Sequence, residues 1–341
     1  MNATHRWRRV RAAAVGLLFG ATVMAACGSD DTASPAGPPA TGPTSVDTAP
    51  APTTATFPVG SADDVESGVL DAGAPDLGRV VSLAEEYILA DLLALGIEPV
   101  ASTATVDAVG FQGLASYDTS AIEVLPQTTL SLEYLASLRP NTIVTTQFWI
   151  DQVGAGVLEG IADVMVIPDG LSGAERIEVL GELVGRPEHA AQVAAEVGAA
   201  QVAAADQVGD GCEVSLATIY PGPTVAAFVD GPWELPSAFQ AVGCELIPGP
   251  DVAPPDANGR AWLSEEQLGL LDSPTLVLMQ NDAVDGESDA LAAIRSSAIW
   301  QTLPSVAADG VVVVDRLGYP GAQGLIRFYG EIARIVGASD D

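Results

Sequence analysis

The sequence predicts an α/β protein of two Rossmann-like lobes, each with a central parallel sheet, joined by one long α-helix. Three observations lead to this fold class. First, a strand, a helix, a glycine and a second strand follow one another in each half of the chain. Second, the sequence pattern of residues 131–144 recurs 133 residues later, at residues 264–277. An Ala-rich stretch of helical character separates the halves. Strands that alternate with helices are typical of a parallel sheet covered by helices.

Residues 1–26 have the pattern of a lipoprotein signal peptide. Arginines cluster at residues 6–11, and residues 12–26 form an apolar stretch that is too short for a membrane-spanning helix. Small residues then precede Cys27, as in the bacterial lipobox, where the cysteine thiol is lipidated. Met24 stands where that motif usually has leucine. The alternative is an ordinary secreted protein in which Cys27 has no special role.

Residues 27–58 are predicted to form a disordered tether. The segment contains seven prolines among threonine, alanine, serine and glycine, so it cannot bury a core. A lipidated cysteine followed by such a tether would hold a folded domain away from a membrane surface. No run of 18 apolar residues follows, so the sequence predicts no transmembrane helix.

The two lobes are assigned to residues 59–171 and 209–341. In each lobe, two predicted strands flank a helix that ends at a glycine. In the first lobe, the strand at residues 80–83 is followed by a helix at residues 87–95, Gly96 and a second strand at residues 99–101. In the second lobe, the strand at residues 214–217 is followed by a helix at residues 236–242, Gly243 and a second strand at residues 246–247.

A gapless repeat indicates that the two lobes arose by duplication. Residues 131–144 and 264–277 share Ser, Glu, Leu, Leu, Thr and Val at equivalent positions, and both predict an N-capped helix, a turn and a strand. Residues 164–168 and 311–315 are a further pair of predicted strands. Chance similarity is the alternative, but the matches occur in the same order in both lobes.

Residues 172–208 are predicted to link the lobes as helix. The stretch is rich in alanine, glutamate, valine and leucine, with one interruption at Gly185-Arg186-Pro187. Because proline is tolerated in the first turn of a helix, we expect Pro187 to begin a helix that runs to about Val208. A single helix would connect the lobes stiffly.

The charge of the chain excludes several classes of function. All 13 basic residues are arginine, and a chain that begins at Cys27 carries nine arginines against 45 acidic residues, a net charge of −36. Such a surface repels nucleic acid and anionic lipid. Beyond the leader, His189 is the only histidine, so a His-rich metal site is excluded and a catalytic triad would depend on that residue.

With these residues in view, the chain resembles the substrate-binding lipoproteins of ABC importers for ferric siderophores, haem and cobalamin. The resemblance spans about residues 78–336 and rests on the order of residues 79–83, 95–96, 122–124, 131–144, 180–185 and 300–306. It implies a monomer that is exported and lipid-anchored at the outer face of the bacterial cytoplasmic membrane. It implies no cofactor and no metal ligands, because the ligand is an iron chelate that is already assembled. The chelate would lie in a cleft between the lobes, beside the carboxyl ends of the strands.

The resemblance also implies a docking site for a membrane permease. In this family a glutamate on the outer face of each lobe pairs with arginine on the permease, and the equivalent residues here are the repeated Glu133 and Glu266. The alternative is that each glutamate only stabilises a helix N-terminus through the helix dipole, a contribution of about 0.3–1 kcal/mol.

Aromatic residues in the loops after the strands are the candidate ligand-binding residues. They are Tyr87, Phe111, Tyr117, Phe148 and Trp149 in the first lobe, and Tyr220, Phe228, Trp233, Trp262 and Tyr319 in the second. The alternative for each is a place in the hydrophobic core. Phe148 and Trp149 are adjacent, so in an extended segment they could not both point inward. Trp233 lies in a loop between prolines, where packing options are few.

Arg260, Arg316 and Arg327 are the candidates for binding oxygen atoms of the ligand, since a guanidinium group matches carboxylate or hydroxamate. Surface ion pairs are the alternative. The negative charge of the chain favours a neutral or cationic ferric hydroxamate over an anionic ferric catecholate. If Glu85 and Glu86 face the cleft, a cationic group on the ligand is favoured.

Haem and cobalamin remain alternatives to a siderophore within the binding class. A tyrosine or Met279 is a candidate axial ligand for haem, although neither has a diagnostic spacing.

Cys212 and Cys244 are expected to form a disulfide. Each precedes a predicted strand of the second lobe, and consecutive parallel strands are usually neighbours. An exported location permits oxidation, and a loop of about 33 residues would contribute roughly 3–4 kcal/mol. The bridge would be structural, because the cleft lies at the opposite strand ends. Two buried free thiols are the alternative.

Two other functions are alternatives to ligand binding for import. An exported α/β hydrolase is disfavoured, because the chain has no G-x-S-x-G elbow and His189 falls within the predicted linker helix. A surface adhesion protein on the same scaffold is not excluded, but it gives no reason for the repeated glutamates. The sequence therefore favours a binding protein that is not an enzyme.

Overall fold

The structure is a computed structural model that describes residues 75–337, except residues 223 and 232. The predicted signal peptide, Cys27, the tether and the start of the first lobe lie outside the described residues. The described residues belong to one compact unit and contain two sheets.

The first lobe has a parallel sheet of five strands in the order β3-β2-β1-β4-β5. Its elements are β1 (Val80–Leu83), α1 (Glu85–Ala94), β2 (Ala101–Ala104), β3 (Glu123–Pro126), α2 (Leu132–Ser137), β4 (Thr142–Thr146), α3 (Gln147–Val153), α4 (Ala155–Leu158) and β5 (Asp163–Ile167). The strand order reverses between β1 and β4, and such a switch point opens a crevice at the carboxyl ends of the strands. The residues after β1 and β4 therefore lie at the crevice.

Two helices, α5 (Gly173–Leu183) and α6 (Pro187–Val208), lead from the first lobe to the second. The prediction that Pro187 begins a helix ending at Val208 is confirmed. The helices cross closely, because a Cβ atom on Gly181 would lie 2.2 Å from that of Ala190. Only glycine permits this approach.

The second lobe has strands in the order β11-β10-β6-β7-β9, with β8 beside the start of β6. Its elements are β6 (Glu213–Tyr220), β7 (Thr224–Phe228), α7 (Glu234–Ala241), β8 (Glu245–Leu246), β9 (Arg260–Leu263), a 3₁₀ helix (Glu265–Leu270), β10 (Thr275–Gln280), α8 (Glu287–Arg295), a second 3₁₀ helix (Trp300–Thr302), α9 (Pro304–Ala307), β11 (Val311–Asp315) and α10 (Gly321–Val336).

The second sheet is mixed, whereas the sequence predicted a parallel one. Strands β8, β10 and β11 follow the predicted parallel arrangement around β6. Strands β7 and β9 are antiparallel additions. The tight turn that pairs Tyr220 with Thr224 sends the chain back along β6, so β7 completes a hairpin instead of a crossover.

The repeat found in the sequence is present in the structure. The Ser131 hydroxyl accepts a hydrogen bond from the Tyr134 amide at 3.0 Å and caps α2. Ser264 forms a capping box with Gln267 at the first 3₁₀ helix. Strand β4 then pairs with β1, and β10 pairs with β6 in the same way.

The hydrophobic core is continuous between the lobes. One cluster of buried side chains includes Val144 of the first sheet, Ile177 and Val193 of the linking helices, Leu216 of the second sheet and Phe328 of α10. Helix α10 packs against both α1 and α6. The lobes are therefore joined by packing as well as by α6.

The predicted disulfide between Cys212 and Cys244 is present, with the two Sγ atoms 2.09 Å apart. The residues precede β6 and β8, which pair in parallel with Glu213 beside Glu245. The bridge therefore lies at the amino ends of these strands.

Candidate functional site

The carboxyl ends of the two sheets face each other. Asn281, after β10, donates from Nδ2 to Gln112 Oε1 of the first lobe at 3.1 Å. Arg327 Nη2 donates to the carbonyl oxygen of Gly113 at 3.2 Å and to that of Gly318 at 3.1 Å. These contacts hold the loop after β2 against the loop after β11.

A buried ion network joins the lobes beneath this interface. Arg176 Nε of α5 lies 2.7 Å from Asp91 Oδ2 of α1, and Arg176 Nη1 contacts Glu234 Oε1 of α7. Asp91 is fully buried and also accepts a hydrogen bond from the Ala322 amide at 2.7 Å. Burial raises the pKa of Glu234, although Arg176 opposes this. The Arg176 guanidinium also lies 5.2 Å from the centre of the Tyr87 ring.

The second lobe presents an aromatic wall, defined here as Tyr220, Phe228, Trp233, Arg260 and Trp262, of which Phe228 is 5% exposed and packs in the hydrophobic core. The antiparallel register sets Phe228 beside Arg260 and Trp262 beside Ala226, so their side chains share one face of the sheet. The Arg260 guanidinium lies 5.4 Å from the Trp233 ring centre and 5.0 Å from that of Trp262, within cation–π range. Trp233 and Trp262 are 40% and 47% exposed, so their rings are open to a ligand.

Polar contacts fix the edges of these rings. Asp256 Oδ2 accepts from Trp262 Nε1 at 2.9 Å and from Arg260 Nη2 at 3.3 Å. Hydrogen bonds from the Arg260 backbone and the Trp262 indole lower the pKa of Asp256 to about 2. Trp233 Nε1 donates to the carbonyl oxygen of Asn258 at 2.6 Å. The wall is thereby held in place, with the Trp233 and Trp262 rings partly exposed beside Arg260.

The first lobe presents Glu85 to the cleft. Its φ of 60° lies in the left-handed region, which is costly for a residue with a side chain and is found where ligands are gripped. Burial and the nearby Glu86 raise the pKa of Glu85, while the Gln127 amide and Arg316 oppose the rise. Arg316 belongs to the second lobe, so part of the charge that opposes the rise in pKa comes from across the cleft.

Glu86 is buried and tied to its own lobe. Its Oε2 atom accepts a hydrogen bond from Thr105 Oγ1 at 2.6 Å. Arg316 has a partner as well, because its Nη2 lies 2.6 Å from Glu287 Oε1. Of the two glutamates, only Glu85 is placed to meet a ligand.

Several candidate residues face the core instead of the cleft. Trp149 is 9% exposed and packs in the core of the first lobe, whereas Phe148 is 55% exposed. Both lie on α3, so helix geometry and not an extended segment separates them. Met279 is buried in β10, which disfavours an axial role toward haem.

Other candidates have structural partners. Tyr319 donates to Glu331 Oε2 at 2.8 Å and stacks against Phe328. Phe111 and Tyr117 pack on a small cluster of the first lobe, and burial raises the pKa of Tyr117 to about 12. Arg327 binds backbone carbonyl oxygens of both lobes. Tyr319 and Arg327 are thus held by hydrogen bonds, and Phe111 and Tyr117 are held by packing within the first lobe.

Three residues of the site were not predicted from the sequence. Gln127 and Asn281 each follow a strand, β3 and β10, and that position was an available signal. Asp256 lies in a loop before β9, and only the folded contacts with Arg260 and Trp262 reveal its role.

The two predicted docking glutamates are exposed, Glu133 on α2 and Glu266 on the first 3₁₀ helix. Each glutamate lies in the first turn of its helix, on the surface of its lobe. Hydrogen bonds from the Glu266 amide and the Ser264 side chain lower the pKa of Glu266.

The described residues contain no group of three or more His, Cys, Asp or Glu that could hold a metal ion. Within the same residues, no helix is both long and apolar enough to cross a membrane. His189 Nε2 lies 2.9 Å from the carbonyl oxygen of Ala94, so it ties α6 to the end of α1.

Solved structures of siderophore-binding proteins have the same fold. SirA of Staphylococcus aureus matches with a TM-score of 0.62 at 13% identity, over 76% of this chain and 99% of SirA. FhuD2 of the same organism with bound ferrioxamine B matches with a TM-score of 0.62 at 16% identity, over 77% and 99%. FeuA of Bacillus subtilis, a triscatecholate siderophore-binding protein solved with ferri-bacillibactin, matches with a TM-score of 0.63 at 14% identity, over 78% and 94%.

No family model and no curated protein matches the sequence. The likeness in fold agrees with the family resemblance found in the sequence.

Proposed function

We propose that this chain is the substrate-binding protein of an ABC importer, and that it captures a ferric siderophore between its lobes and delivers it to a membrane permease. The observation that carries the proposal is the aromatic wall of the second lobe, which is open at the carboxyl ends of two facing sheets. This arrangement suits binding of an organic surface without chemical turnover. The solved proteins of the same fold bind chelates of this kind.

We further propose a hydroxamate-type ligand. Both chemistries occur among the structural neighbours, so the fold does not decide between them. Charge does favour one of them. Two cleft arginines already have carboxylate partners, Arg260 with Asp256 and Arg316 with Glu287. A highly anionic ferric catecholate would therefore meet little uncompensated positive charge, and the acidic chain would repel it.

The remaining parts of the proposal concern location and partners. The chain would be exported, lipidated at Cys27 and held by its tether at the outer face of the bacterial cytoplasmic membrane. Glu133 and Glu266 would pair with basic residues of the permease, and the protein would act as a monomer. Exposure of both glutamates supports this role.

Titration of the purified protein with iron chelates tests the proposal. Ferrioxamine B, ferri-bacillibactin, haem and cobalamin would each be added while tryptophan fluorescence is followed, since Trp233 and Trp262 line the cleft. We expect saturable quenching by ferrioxamine B and weaker binding of ferri-bacillibactin. Tighter binding of the catecholate would overturn the ligand class. Binding of none of the four compounds would overturn the function.

A further inference from the structure

A second concave surface lies on the second lobe, away from the cleft. It is an open groove of about 530 Å³ between the segment after β8 and the first 3₁₀ helix. Leu246 and Thr275 both pair with Val214, near the start of β6. The groove therefore lies toward the amino ends of the strands, and the aromatic wall lies at the other end.

The floor of the groove is bare backbone. Gly249 and Gly269 both line it, and a Cβ atom added to either would meet no atom within 4 Å. Val252, at one side, is 62% exposed, and Leu270 is half-buried. The groove thus has room for a side chain from another molecule beside the apolar Val252 and Leu270.

The rim of the groove is acidic. Glu245, Asp251 and Asp272 line it and are exposed. Glu266 lies one 3₁₀ turn before Gly269 and outside the lining of the groove. Among the described residues, none of these three rim carboxylates forms an ion pair with an arginine.

From this we infer that the groove receives a basic segment of a protein partner, which inserts an apolar side chain over the glycine floor while its arginine or lysine residues meet the rim carboxylates. The inference rests on the proposed function, under which that partner is the permease. Anionic lipid and nucleic acid are disfavoured as occupants, since the rim would repel them. A second copy of the chain is also disfavoured. It has no lysine, its nine arginines beyond Cys27 are scattered singly, and its charge of −36 repels another copy.

The repeat shows that this surface belongs to one lobe. In the gapless alignment of the repeat, Asp272 corresponds to Arg139, and Gly269 corresponds to Ala136. The first lobe therefore has a basic residue where the second has an acidic one. A basic partner segment would distinguish the two lobes, so the groove would fix which way round the protein docks.

Photo-crosslinking in intact cells of the source organism tests the inference. The full chain with Val252→benzoylphenylalanine would replace the native copy. We expect an adduct with a membrane protein, mapped by mass spectrometry to a segment in which arginine or lysine adjoins an apolar residue. Adding Gly269→Trp, which fills the floor, would reduce the adduct at least about tenfold. Adding Gly330→Trp would not, since Gly330 is exposed on α10 and equally open. No adduct, or an adduct only with lipid or a second copy, would overturn the inference.

Uptake measurements separate this inference from the proposed function. Purified Gly269→Trp should bind ferrioxamine B as the unaltered protein does. Cells that carry it should take up iron supplied as ferrioxamine B at least about tenfold more slowly than cells with Gly330→Trp. Normal binding with normal uptake would overturn the groove inference alone. If the unaltered protein binds no chelate while the position-252 adduct still forms on a basic segment, the proposed function fails and the groove remains a docking site.

Discussion

The two lobes share a repeated frame and differ at the cleft. Ser131 and Ser264 cap equivalent helices, and β4 and β10 take the same place beside β1 and β6. The first lobe continues with parallel β3, whereas the second folds back into β7 and β9 and so gains the aromatic wall. The repeat therefore provides the scaffold, and the departure from it provides the aromatic wall. Under the proposed function, recognition would be asymmetric, with polar groups on the first lobe and rings on the second.

The largest expected effect comes from breaking the ion network that holds the lobes together. Arg176→Met would leave the buried Asp91 and the half-buried Glu234 without their partner, so we expect the free energy of unfolding to fall by about 3–5 kcal/mol. Urea denaturation measures it. Arg334→Met is the control, since Arg334 is half exposed and its pair with Glu331 contributes less than about 1 kcal/mol. Equal losses in the two variants would show that the network does not hold the lobes.

A smaller effect tests the asymmetry of recognition directly. Trp262→Ala removes a ring of the wall that lies 5.7 Å from Tyr220, and we expect affinity for ferrioxamine B to fall at least about tenfold. Phe148→Ala removes the most exposed aromatic ring of the first lobe, and we expect a change of less than about threefold. Isothermal titration measures both. A larger loss in Phe148→Ala would mean that the first lobe carries the apolar grip.

The smallest expected effect concerns Glu85. Its pKa is raised in the folded protein from the ordinary value of 4.5, so the folded chain holds this proton more tightly than the unfolded chain. The free energy of unfolding therefore falls as the pH rises from the unfolded pKa to the folded pKa, and the deficit persists above it. Glu85→Gln keeps an acceptor for Gln127 and removes the titration.

We expect Glu85→Gln to be more stable than the unaltered protein at pH 7, with the difference shrinking toward pH 4. Urea denaturation at both values measures this. Glu159→Gln, at an exposed position, controls for the loss of one charge. If the free energies of unfolding of Glu85→Gln and the unaltered protein differ by the same amount at both pH values, the raised pKa of Glu85 is contradicted.

Local signals in the sequence were sufficient for the frame of the fold. Pro187 marks the start of α6 and Gly209 marks its end. The capping serines mark both copies of the repeat. The disulfide followed from the positions of Cys212 and Cys244 before neighbouring parallel strands. Each of these features depends on a few residues that are close in sequence or on a regular rule of chain connection.

The antiparallel part of the second sheet and much of the site were not predicted. The turn after Tyr220 contains proline and glycine, a hairpin signal that the βαβ pattern overshadowed. Which aromatic residues face the cleft depends on helix phase for Trp149 of α3 and on strand register for Trp262 of β9. Likewise, the link between Arg176 and Glu234 joins elements that are far apart in sequence, so only packing brings them together.

The core that runs from Val144 through α6 and α10 to Leu216 has a consequence for how the molecule comes apart. Neither half can melt while the other persists, because each would leave the shared apolar surface open to water. The described chain should therefore unfold in a single cooperative transition, and a chelate bound against Trp262 would protect the distant strands of the first half as much as those it touches.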